Sequence, residues 1–154
     1  MGGPVIVGVT ATRSGMTPAQ AQAFASLLST LNVTEIRHGD CVGGDADADA
    51  VAASLGIRRV AHPPDNPALR AFCVADLILP ERPYKLRNRD IIDACCAAVA
   101  LPATIREQRF GGTWSTIRYA RSVGRPLALI LPDGTIHLER NTGVFDDYAR
   151  VDHL

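Results

Sequence analysis

Lysine is nearly missing from this chain of 154 residues: Lys85 is the only one, and sixteen basic residues are balanced by sixteen acids to a formal net charge of zero. A chain without net charge has no global field to draw it onto nucleic acid or an anionic membrane, so any basic site has to be local. Cysteine in metal-ligand spacing is missing too. Cys41, Cys73, Cys95 and Cys96 contain no C-x-x-C pair, which excludes a recognisable zinc set and an evident disulfide framework. No apolar run approaches the roughly eighteen residues of a membrane span, and Met1 to Thr10 lacks the basic start of a secretory leader. These absences lead us to expect a cytoplasmic protein with reduced thiols and no membrane partner.

What is abundant is apolar side chain, 47% of the total, enough for one core in a single domain spanning residues 1–154. A chain of this length buries roughly two-thirds of its unfolded surface and needs no structural metal. Val5 to Val9 reads as a strand, and Thr17-Pro18 as the cap and first turn of a helix over 18–31, with Phe24, Leu28 and Leu31 on one stripe. A strand at 34–37, an alanine-rich helix ending near Leu55 and a strand at 57–61 follow, then an irregular proline-rich stretch with a helix expected over 68–75. A helix over 87–96, a fully buried strand at 97–101, a helix over 115–122, a strand at 126–131 and an edge strand at 135–138 complete the alternation. Apolar strands alternating with helices predict an α/β fold: a single Rossmann-like, doubly wound, mainly parallel sheet with helices on both faces. Ligands of such folds bind outside the carboxyl ends of the strands, so the loops there hold the candidate residues.

The first of these loops offers Gly8, Thr10, Thr12 and Arg13. It lacks the G-x-G-x-x-G dinucleotide fingerprint, and a tight structural turn explains it equally well. The second offers His38, Gly39, Asp40 and Asp45, whose carboxylates suit a ribose or base edge better than phosphate; plain helix capping is the alternative for Asp45. A calcium loop from Asp45 is excluded by Ala50 and Gly56 at the positions that require Gly and Glu. Arg87-Asn88-Arg89 supplies two guanidinium forks suited to phosphate, unless they only pair with Asp90 and Asp93. The fourth segment, Gly111-Gly112-Thr113-Trp114-Ser115-Thr116, is the best phosphate candidate: a glycine and hydroxyl loop opening a helix, with no acid. It is not a Walker loop, and Trp114 suits base stacking and core packing equally. The histidines His62, His137 and His153 share no ligand spacing, so we expect no metal. No cofactor is implied either.

In their order these loops resemble the SLOG superfamily, over roughly residues 5 to 134. Arg87-Asn88-Arg89-Asp90-Ile91 resembles the R-N-R-x-I segment of DNA-processing protein A. Ser115 to Ala120 followed by Gly124-Arg125-Pro126 is similar to its S-L-I-T-A run, and His38 to Asp45 to its S-G-G-A-x-G-I-D loop. The resemblance to LONELY GUY-type phosphoribohydrolases is looser, because Arg118 or Tyr119 stands where that family's P-G-G-x-G-T-x-x-E signature has its catalytic Glu. The resemblance implies a Rossmann-like protein that binds a nucleotide or nucleotide-derived ligand as sensor or carrier. The second reading is a nucleotide N-glycosidase, with Asp40, Asp45 and Arg87 as its catalytic residues because oxocarbenium-like charge needs a carboxylate. Single-stranded DNA binding ranks third, disfavoured by the single lysine. Small apolar helices further suggest a homo-oligomer.

Overall fold

The computed structural model describes residues 3–139 and 143–151. Its seven strands are β1 (Ile6–Ala11), β2 (Glu35–His38), β3 (Arg58–Ala61), β4 (Leu77–Ile78), β5 (Ala97–Leu101), β6 (Leu127–Ile130) and β7 (Ile136–Glu139). They form one sheet in the order β4-β3-β2-β1-β5-β6-β7, parallel throughout except for the β6–β7 pair. The chain steps outward from β1 to β4, then crosses back to lay β5 on the free side of β1, in register Val7 to Ala97 through Ala11 to Leu101. The switch point of the topology therefore lies between β1 and β5, where a doubly wound sheet opens a crevice at its carboxyl edge.

The period of two in the central strands divides the core. Ala97, Val99 and Leu101 of β5 face one side with Ala128 and Ile130 of β6, beneath α1 (Pro18–Thr30) and α2 (Gly44–Ser54). Ala98 and Ala100 face the other with Leu127 and Leu129, beneath α3 (Tyr84–Ala94) and α4 (Gly112–Ser122). Five consecutive buried residues in β5 are what a strand covered on both faces requires. Helix α1 starts as expected: Thr17 caps Gln20, whose own side chain answers the Thr17 amide and reaches the carbonyl oxygens of Pro102 and Ile130.

Residues 68–75 are not helical. Only one 3-10 turn forms, at Pro67–Leu69. The backbone beyond it is captured by Asp40, whose carbonyl oxygen accepts from Ala71 N at 2.7 Å and whose Oδ1 accepts from Cys73 N at 2.8 Å, while Phe72 takes the left-handed φ of 57°. The buried Asp40 residue takes both amides away from a helical ladder, Ala71 with its main-chain carbonyl and Cys73 with its carboxylate. The segment then supplies β4, an element not expected from the sequence. Helices α3 and α4 each begin three residues earlier than expected, at Tyr84 and Gly112. Beyond β7 the tail adds α5 (Val144–Val151), which sends Phe145 fully into the core. His153 lies outside the described residues.

Candidate functional site

The crevice at the β1/β5 switch point is a cleft of about 920 Å³. Of the candidate residues, Thr10, Thr12, Arg13, Gly39, Asp45, Arg87, Asn88, Gly111, Gly112, Thr113, Ser115 and Thr116 line it. Gly8, His38 and Asp40 do not, and their surroundings show what they do instead. A Cβ on Gly8 would lie 2.9 Å from both Cys95 Sγ and Ile91 Cγ2, so this glycine lets α3 pack on β1. The Asp40 carboxylate, wholly buried, accepts from Arg70 Nε at 2.8 Å and pins the segment after the 3-10 turn.

His38 belongs to a buried chain of polar contacts. Asp40 N donates to His38 Nδ1 at 3.0 Å, so the ring proton sits on Nε2 and is donated to Asp49 Oδ1 at 2.9 Å. Burial would raise the Asp49 carboxyl, but hydrogen bonds from His38 and Arg59 outweigh it and hold Asp49 below its ordinary range. His38, Asp49 and Cys73 bring ligand-type atoms within 4.8 Å of one another. A metal on Nε2 would need a proton on Nδ1, where the Asp40 amide already points, so the tautomer set by the backbone does not fit a metal centre.

The loop after β2 is held against α3 by Arg87, which is only 4% exposed. Its Nη1 donates to the carbonyl oxygens of Gly39 and His62, its Nε to Asn88 Oδ1 at 2.7 Å, and its Nη2 to Cys41 Sγ at 3.4 Å. Of the five guanidinium donors only one N–H of Nη2 is left for a ligand. Asp45 lies beside this arginine and accepts from Cys41 N at 3.2 Å. Its burial pushes the carboxyl above its ordinary value although His38 and Arg87 pull it down. Burial likewise raises the Cys41 thiol, so the sulfur on the cleft wall is not an activated thiolate.

The opposite wall is the start of α4. Gly111, with φ of 109°, precedes the helix without any side-chain cap. Among the described residues the amides of Gly112, Thr113 and Trp114 have no acceptor, and the Thr113 and Ser115 hydroxyls have no partner. Thr116 is less available: it is 3% exposed and its hydroxyl donates back to Gly112 O at 2.8 Å. Trp114 is core, packed against the β5–β6 side of the sheet with Nε1 donating to Thr104 Oγ1 at 3.1 Å. Arg118 holds the preceding loop in shape by donating to Gln108 O and Arg109 O at 2.9 and 3.0 Å.

Six basic side chains line the cleft, Arg13, Lys85, Arg87, Arg89, Arg109 and Arg118, against one carboxylate, Asp45. The balanced charge of the chain therefore conceals a locally basic site. Asp90 does not neutralise Arg89, because it pairs with Arg82 at 2.8 Å, and Asp93 accepts from Tyr119 Oη at 2.8 Å. Tyr84 and Lys85 were not among the candidates. Their signal was Pro83, a helix-starting proline that moves the first turn of α3 forward.

No protein-family model matches the chain, and no curated protein does. Solved structures do. The fold is similar to that of the molybdenum cofactor binding protein from the phototrophic bacterium Rippkaea orientalis, with a TM-score of 0.66, 19% identity, and 83% of this chain and 77% of that one covered. It is also similar to DNA processing protein A from Streptococcus pneumoniae, at 0.63 and 18%, where 97% of this chain matches 56% of the other. The Moco carrier protein from Chlamydomonas reinhardtii matches at 0.62 and 15%, over 84% of this chain and 76% of that one. The chain spans little more than half of the DNA processing protein. These likenesses show the fold alone, a Rossmann-like, mostly parallel sheet with helices on both faces.

Proposed function

We propose that the protein binds a small phosphorylated ligand of the nucleotide kind, with a phosphoryl group seated on the start of α4. The observation that carries this reading is the uncapped turn Gly111–Ser115: three free amides, two free hydroxyls and a helix dipole converge on a basic cleft. The geometry of Gly112 supports it. A Cβ there would meet nothing within 4 Å and the residue has ordinary helical φ, so neither packing nor conformation calls for glycine. Close approach of a ligand to the backbone does. Two neighbours in fold are named for binding or carrying the molybdenum cofactor, which supports a small-ligand role for a cleft at this place in the fold. On this reading the chain is a sensor or carrier.

Asp45 favours a second reading, cleavage of a nucleotide N-glycosidic bond, because a carboxyl on the cleft wall whose affinity for a proton is raised by burial is suited to proton transfer. The test is a thermal-shift and calorimetric screen of nucleosides against their 5′-monophosphates, with chromatography of every mixture. Binding that requires the phosphate, and that falls on the order of tenfold in the Thr113→Val/Ser115→Ala double variant, supports the site. Release of free base makes the protein a hydrolase. Equal response to nucleoside and monophosphate, or none to either, removes the proposed phosphate seat.

A further inference from the structure

The α4 start accounts for one anion, and the cleft holds more positive charge than one anion needs. Arg118 and Arg87 are engaged with carbonyl oxygens, as described. Lys85 and Arg89 are different: among the described residues neither has a hydrogen bond or ion pair to a protein group, and both are exposed. They stand four residues apart on α3, on one face of the helix. Arg89 is held there by lying over the Tyr119 ring, 5.0 Å from its centroid.

Lys85 also occupies a place that the helix itself disfavours. It lies in the first turn of α3, which contains no acid, so its charge adds to the positive end of the dipole. An uncompensated cation at that place is a local conflict of the kind expected at binding sites. An anion placed between Lys85 and Arg89 removes it.

The offset between the α4 start and the Tyr119 ring beneath Arg89 is a length that the helix sets. Gly112, Ser115, Tyr119 and Ser122 form the cleft face of α4. From Gly112 to Tyr119 the axis advances about 10 Å at 1.5 Å per residue. The phosphoryl groups of a pyrophosphate are too close together to reach both ends. A nucleoside placed between two phosphoryl groups, with the long side chains of Lys85 and Arg89 closing the remaining gap, fits that distance.

We infer that Lys85 and Arg89 form a second anion subsite, and that the ligand carries two anionic groups held apart by a nucleoside-sized spacer. This rests on the phosphate seat at α4 and names the class of ligand for it. The experiment is calorimetry on the full chain with the four nucleoside 5′-monophosphates and the corresponding 3′,5′-bisphosphates. It is done on the natural protein, on Lys85→Ala, and on Lys85→Ala/Arg89→Ala. The preferred base should bind as bisphosphate on the order of thirty-fold tighter than as monophosphate. The double variant should reduce that ratio to about threefold or less, and Lys85→Ala should fall between. A monophosphate that binds as tightly as its bisphosphate overturns the second subsite while leaving the α4 seat standing. So does a ratio that survives the double variant. No binding of either compound overturns both.

Discussion

Asp45 and His62 are both buried beside Arg87, and burial favours the neutral form of each, with opposite consequences for stability against pH. The Asp45 carboxyl is raised by burial from its ordinary 3.8, so its contribution is complete below that value and is lost as pH rises through the folded value. His62 is lowered from 6.5 to about 4, by burial first and then by Arg37 and Arg87. Its contribution is complete above 6.5 and is lost as pH falls through about 4. The full histidine effect is at most about 3 kcal/mol. Urea unfolding measured between about pH 4 and pH 7 should show the two slopes partly cancelling. Asp45→Asn should raise stability at neutral pH and steepen the loss on acidification; His62→Gln should remove most of that loss. A pH slope unchanged in both variants would show that neither group is held neutral by burial. Asp40 and Asp45 looked alike in the sequence, two acids in one glycine-rich loop. What separates them is Arg70, thirty residues beyond Asp40, and no local pattern carries a contact of that range.

Glycines at the starts of α2 and α4 show how differently two similar-looking helix entries are built. Gly43 has φ of 91°, and a Cβ there would lie 2.0 Å from Arg13 O, so the loop after β1 runs directly against it. Gly43→Ala should cost more than about 2 kcal/mol and disturb the cleft wall at Arg13. Gly112→Ala meets no obstacle and replaces the poorest helix former but proline. It should raise stability by about 0.5 kcal/mol while weakening the phosphate-bearing ligand severalfold. Melting curves and calorimetry on the two variants check both halves; a Gly112→Ala protein of undiminished affinity would mean that the backbone does not touch the ligand. Hydrophobic periodicity made α1, α2 and the five parallel strands other than β4 readable, because each buries a regular stripe or an unbroken apolar run. It had no stripe to follow over 68–75, where a helix was expected: Phe72 and Val74 are exposed, and polar capture by Asp40 sets the backbone. It also placed the start of α3 at Arg87, and so left Lys85 outside the helix whose face it shares with Arg89.

A chain with no net charge is expected to bind anions with little dependence on salt, yet the distribution of charge in this fold argues otherwise. The acids are spent away from the cleft: Glu35 pairs with Arg37 and Arg58, Asp49 with Arg59, Asp40 with Arg70, and Glu139 with Arg121. These pairs are neutral at a distance, and they leave Arg13, Lys85, Arg89 and Arg109 as cleft cations without a carboxylate partner among the described residues. The field inside the crevice is therefore positive, and its low-dielectric walls concentrate it on the switch point. Raising sodium chloride from about 50 to 500 mM shortens the screening length from roughly 14 to 4 Å. Affinity for a doubly anionic nucleotide should fall on the order of tenfold over that range, and for a monophosphate by clearly less. Folding stability should barely change, because the core is apolar and the deepest ion pairs are screened little. Calorimetric affinities and urea midpoints measured across the same salt series separate the two quantities. An affinity indifferent to salt would place the ligand away from the four free cations, and would leave the α4 amides alone to hold it.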